Sequence, residues 1–69
     1  MMTQMKIVDL LGQKGRLSRK DIQKEFQFTQ PHASRLFVQV SKLKGIGVIH
    51  VEEVRKNTHF LIEYLVLKK

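Results

Sequence analysis

Metal and acid–base chemistry in a chain this size would rest on its three histidines and six carboxylates, since it has no cysteine. His32 lies in a helical pattern, and His50 and His59 fall in two separate strand-like runs, so no two have ligand spacing on one element. A turn centred on Lys56 and Asn57 would set His50 opposite Glu63 and His59 opposite Val54, which keeps the two rings apart. No carboxylate pair, no nucleophile beside a base and no glycine-rich phosphate loop stands out. The expectation is a protein with no metal, no cofactor and no catalytic centre, hence not an enzyme. Positive charge is what the chain has in excess. Thirteen Lys and Arg against six Asp and Glu give a net charge of +7. Such a balance favours polyanionic partners, nucleic acid first and an anionic membrane surface second.

The cations and hydrogen-bonding groups best arranged for such a partner lie between Thr29 and Lys44. Thr29 suits an N-cap, and Gln30 and Pro31 follow at the first helical positions, where a missing N–H costs little. Ala33, Leu36, Phe37, Val40 and Leu43 recur at three and four residues as an apolar stripe. The opposite side carries Pro31, Ser34, Arg35, Val38 and Lys42. Two basic groups, a hydroxyl and a small apolar group on a free face suit a helix lying in a DNA major groove. An ordinary solvated helix face is the other reading of the same pattern. Arg35 is the candidate for bidentate hydrogen bonding to guanine, with a plain phosphate contact as its alternative. Gln30 and Ser34 beside it would fix register on phosphates. Val38 would meet a thymine methyl or pack against a partner.

Other elements must hold that helix in place. Residues 2–13 predict a first helix with Met5, Val8 and Leu11 on one side and Ile7 and Leu10 flanking. Gly12 weakens its end and Gly15 breaks the chain. Leu17 pins the start of a second helix, Ser18–Phe26, with Ser18 as N-cap and Asp21 returning the bond as in a capping box. Ile22 and Phe26 point inward; Arg19, Lys20, Gln23 and Lys24 stay outside. Arg19 and Lys20 are phosphate-binding candidates. Gln27-Phe28-Thr29 connects the helices, with Phe28 plugging the corner and Gln27 where a turn glycine is usual, so a left-handed Gln27 would be strained. After Lys44, Gly45 can be the helix C′ residue. Residues 48–54 and 59–67 read as strands of a hairpin around Arg55-Lys56-Asn57-Thr58. The tip residues Arg55, Lys56 and Asn57 are candidates for contact with a nucleic-acid backbone.

The expected fold class is α+β: a winged helix–turn–helix of three helices followed by a two-stranded β-hairpin wing, one domain over residues 1–69. The start of the chain reads as neither signal peptide nor membrane span, and the lack of cysteine fits a reducing cytoplasm.

Thr29-Gln30-Pro31-His32-Ala33-Ser34-Arg35 resembles the (Ser/Thr)-Gln-Pro-x-x-Ser-Arg opening of recognition helices in small bacterial winged helix–turn–helix repressors, including the arsenical-resistance type. Leu43-Lys44-Gly45-Ile46-Gly47-Val48-Ile49 resembles their passage into the wing, and the length is similar to that of one-domain fimbrial operon regulators. The resemblance implies that Gln30, Pro31, Ser34 and Arg35 approach bases or phosphates, while Arg55 and Lys56 reach backbone or minor groove. Metal sensing is not implied, because the cysteines it would use are missing.

The implied function is a sequence-specific, double-stranded-DNA-binding transcriptional regulator in the cytoplasm, controlled by its own abundance or by a partner protein. Two alternatives stay open: a winged-helix module that docks an acidic protein, and a plasmid or phage replication or partition protein. Phe60–Val66 is apolar except for Glu63, more than one wing face needs. Leu61, Leu65 and Leu67 are therefore the expected homodimer contacts, unless Met1, Met2 and Met5 cover them.

Overall fold

The computed structural model describes residues 2–68, without the side chain of Met2. Its elements are α1 (Met2–Lys14), β1 (Arg16–Ser18), α2 (Arg19–Phe26), α3 (Gln30–Ser41), β2 (Ile46–Arg55) and β3 (Thr58–Leu67). Three helices and a tightly paired hairpin make the winged helix–turn–helix topology expected from the sequence. The addition is β1. It pairs antiparallel with β3, Leu17 opposite Leu65, so the sheet runs β1-β3-β2. Three residues carry no readable alternation; a distant partner strand makes them a strand.

The first helix is rotated from the expected stripe. Ile7 and Leu11, four residues apart and so on one face, are fully buried, with Val8 and Leu10 at the margin of the core. Met5 is 68% exposed and borders a groove with Gln4, Val8, Asp9 and Leu43, none of them on the last strand. Met1 and the side chain of Met2 lie outside the described residues.

Helix α2 opens with the expected capping box: Asp21 N–H donates to Ser18 Oγ at 3.1 Å and Ser18 N–H to Asp21 Oδ2 at 3.0 Å. The helix ends on Gln27 in the left-handed conformation, φ 56° and ψ 41°. A side chain there costs about 1 kcal/mol. The N–H groups of Gln27 and Phe28 both reach the Gln23 carbonyl, and Phe28 is wedged between Phe26 and His32, with ring centroids 5.5 and 4.3 Å away. That packing holds the strained corner shut.

Pro31 sits in the first turn of α3, after an extended Thr29 that makes no side-chain capping bond. Ala33, Leu36, Phe37 and Val40 are buried as expected. The helix stops at Ser41 with Lys42 as its cap, three residues short of the expected Lys44. Leu43 therefore leaves the stripe and is exposed. Gly45, at φ +86°, is not the C′ residue; it serves the next turn, in which Ile46 N–H bonds the Leu43 carbonyl at 3.2 Å.

Lys56 and Asn57, at φ 49° and 65°, form the two-residue hairpin turn whose backbone twist matches the flanking strands. The register is the expected one, with His50 opposite Glu63 and Val54 opposite His59. The strands extend further than their β-branched runs, to Ile46 and Arg55 on β2 and Thr58 on β3, because Ile46 and Gly47 find Leu67 and Val66 as partners and Arg55 finds Thr58. By alternation one sheet face carries Ile46, Val48, His50, Glu52 and Val54 with Leu67, Leu65, Glu63, Leu61 and His59. Leu17, Ile46 and Leu65 on that face join Ile7, Leu11, Ile22 and Phe37 in the core. The other face carries no residue of the core, and its Ile62 and Tyr64 border a groove beside α2.

Candidate functional site

Helix α3 turns its outer face to solvent because its inner face is fully used by Ala33, Leu36, Phe37 and Val40. Gln30, Pro31, Arg35 and Val38 are exposed there and Ser34 is half-buried. Lys42 is exposed just beyond the last helical residue. Among the described residues Arg35 has no hydrogen-bond or carboxylate partner, so its guanidinium is free for a ligand.

Helix α2 extends this surface. A shallow groove between α2 and α3 is lined by Arg19, Lys20, Gln23, Gln30 and Ser34. A second groove, between α2 and the hairpin, mixes Arg19, Lys20, Lys24 and Arg55 with the carboxylates of Asp21, Glu53 and Glu63, and Ile62 and Tyr64 border it. Lys20 also faces Lys56 across the upper hairpin. The sequence-derived candidates Gln30, Ser34, Lys20, Arg55 and Lys56 thus lie along connected grooves, with Lys20 at the junction.

Arg19 has a different position from the one expected of a phosphate ligand. Its guanidinium lies 4.1 Å over the Phe37 ring and forms an ion pair with Glu63. Glu63 also meets His50 Nε2 at 3.1 Å. A single chain of contacts therefore runs from α3 through α2 to β3 and β2, and fixes the hairpin against the helices. The Arg19 hydrogen bond, aided by its charge and by His50, holds the Glu63 carboxyl below its ordinary value, against a smaller opposing cost of desolvation. Sequence reading missed this brace. A lone carboxylate inside the apolar run Phe60–Val66 was its signal, because a charge in such a strand needs a partner.

At the hairpin tip Arg55 is tied to Glu53 through Nε at 2.6 Å, though most of its side chain stays exposed. Lys56 is exposed, and Asn57 contributes the positive φ that the turn requires. His59 Nδ1 lies 3.6 Å from Glu52, so each strand histidine has its own carboxylate and the two do not meet. Among the described residues no group of three or more His, Cys, Asp or Glu could hold a metal ion. No helix is long and apolar enough to cross a membrane.

The expected dimer contacts do not form a patch. Leu65 is fully buried in the protein's own core, under Leu17 and the helices, and is unavailable to a partner. Leu61 and Leu67 are 72% and 48% exposed but stand about 20 Å apart along β3. The sequence run is apolar on both faces, so alternation gave no clue to which residues face the core.

The fold is of a kind that often binds DNA. No family model, curated protein or solved structure matches the chain.

Proposed function

We propose that this protein is a sequence-specific double-stranded-DNA-binding transcriptional regulator of the small winged-helix type that its α3 opening resembles. The observation that carries the reading is the groove of donors and cations between α2 and α3, Arg19, Lys20, Gln23, Gln30 and Ser34, which Lys20 joins to the grooves holding Arg55 and Lys56. Helix α3 enters the major groove, where Arg35 takes guanine O6 and N7 and Val38 meets a thymine methyl. Gln30, Ser34 and the first turn at Pro31 set the register against phosphates. Lys20, Lys42, Arg55 and Lys56 neutralise the backbone on either side. Arg19 supports this indirectly, by bracing the hairpin through Glu63.

Binding to duplex DNA across a series of salt concentrations tests the reading. Counterion release predicts a steep fall in affinity, with a slope set by about five to eight phosphate contacts per bound unit. An affinity that is flat from low to moderate salt would instead favour an acidic protein as the ligand of this face.

A further inference from the structure

The sheet face opposite the core carries Ile49 and Val51 on β2 and Phe60, Ile62, Tyr64 and Val66 on β3. Phe60 is 46% and Ile49 40% exposed, and the other four are half-buried. The side chain of Lys68 extends the apolar strip, since its stem lies so close over Gly47 that a Cβ there would meet Lys68 Cε at 2.8 Å. Folding does not need this face, because the core lies wholly on the other side of the sheet.

We propose that this outer face docks one amphipathic helix with acidic flanks, belonging to a partner protein. The site is separate from the α3 surface and does not rest on the DNA-binding reading.

Dimensions select the occupant. From Phe60 to Val66 the strip is about 20 Å long, and two strands with their side chains make it about 10 Å wide. That matches a single helix of about fourteen residues, which is 10–12 Å across. A second copy of this protein fits poorly. Two copies, each with a net charge of +7, would bring like charges together.

Charge selects the flanks. Arg16, opposite Val66, stands 4.4 Å over the Tyr64 ring, and the Lys68 stem lies over Gly47 at the same end of the strip. Among the described residues neither has a carboxylate partner. The one carboxylate on this face, Glu53, is occupied by Arg55. Apolar side chains of the partner would cover Ile49, Val51, Phe60 and Ile62, and its carboxylates would meet Arg16 and Lys68.

The test uses the whole chain, isotopically labelled, and a fourteen-residue probe peptide with leucine at i, i+3, i+4 and i+7 and glutamate on its outer side. Controls are the same composition with the leucines scrambled and a version with lysine for glutamate. Expected are amide shift changes centred on Ile49, Val51, Phe60, Ile62, Tyr64 and Val66, and a gain of helical circular dichroism in the peptide. Phe60→Asp and Arg16→Glu should each weaken binding at least tenfold, as should the lysine peptide. If Phe60→Asp does not fold, Phe60→Thr keeps the strand and removes the ring. No binding of the glutamate peptide, or shifts centred on α3 or on Met5 and Leu43, overturns the proposal. So does sedimentation showing a dimer that Phe60→Asp dissociates, which makes a second copy the occupant. Binding to phosphatidylglycerol vesicles that is lost in Phe60→Asp, with no binding of the peptide, makes it a lipid surface.

Discussion

The two halves of the β2–β3 hairpin share one register and one pleat, yet different forces hold them. In the lower half Ile46 and Leu65 are sealed against helices and β1, and removing water from their side chains stabilises the pairing. The upper half, from Glu52 to Leu61, has no buried residue. It stands on cross-strand pairs, the turn at Lys56 and Asn57, and two carboxylates that each hold a neighbour. Stability and contact have been separated along one element. Core residues at the base are not free to meet a ligand, and tip residues are free because they contribute little to folding.

The strongest way to break that comparison is to truncate one leucine in each half. Leu65→Ala leaves a cavity in the core and should cost about 2–5 kcal/mol, much of what a domain this small has. Leu61→Ala should change stability by about 0.5 kcal/mol or less. Urea unfolding followed by circular dichroism measures both. Equal losses would mean that the upper half is packed against something, and the division proposed between the halves would be wrong.

The second comparison is between reading and holding. Arg35 stands on the free face of α3, so Arg35→Ala should leave the fold intact. If the side chain bonds guanine, its loss costs about 1–3 kcal/mol of binding and relaxes preference at one base pair. Lys56→Ala at the tip should weaken all duplexes alike and reduce the salt slope by about one. Titrating both variants on a preferred site and on its single-base variants separates the two roles. Should Arg35→Ala weaken every duplex equally, α3 is an anchor and base reading lies elsewhere.

These contrasts also mark what was legible in the sequence. The hairpin register could be read because two turn residues fix it, and a slip by one would exchange the sheet faces. The capping box of α2 and the inner stripe of α3 were legible from spacing alone. Leu65 was not, since Phe60–Val66 is apolar on both faces and alternation is the only local clue to direction. β1 was invisible because three residues have no period. Arg19 read as a surface cation, and only the folded chain shows Phe37 beneath it and Glu63 beside it. Of the candidate surface, the outward face of α3 was legible from its period, and the junction at Lys20 was not, because it depends on how α2 lies against the hairpin.

Gln27 gives a smaller effect, confined to the helical side of the comparison. Its strain was readable as the missing turn glycine, and its φ of 56° places it where a Cβ is unfavourable. Gln27→Gly should raise stability by about 1 kcal/mol, less the greater entropy glycine has when unfolded. Thermal unfolding would register this as an upward shift of several degrees. A fall in stability would mean that the Gln27 side chain makes a contact worth more than its strain.

The smallest expected effect lies at the boundary between the halves, on Glu63. Its carboxylate is bonded by Arg19 and His50 and titrates below its ordinary value of 4.5. A lowered carboxylate contributes stability that is present above the unfolded value and is lost as pH falls through the folded one. The site is well exposed, so solvent screening keeps that contribution within the range of surface ion pairs, up to about 1 kcal/mol. Glu63→Gln should therefore change global stability little near neutral pH. It should remove only the part of the acid-induced loss that begins just below pH 4.5. The local consequence is larger, because the brace is what ties the lower-half core to the free upper half. Amide hydrogen exchange from Val51 to Leu61 should quicken in Glu63→Gln, while that of Leu65 and the α3 core stays slow. If exchange in the upper half is unchanged, cross-strand pairing alone holds the tip, and Arg19 is only a surface cation lying on Phe37.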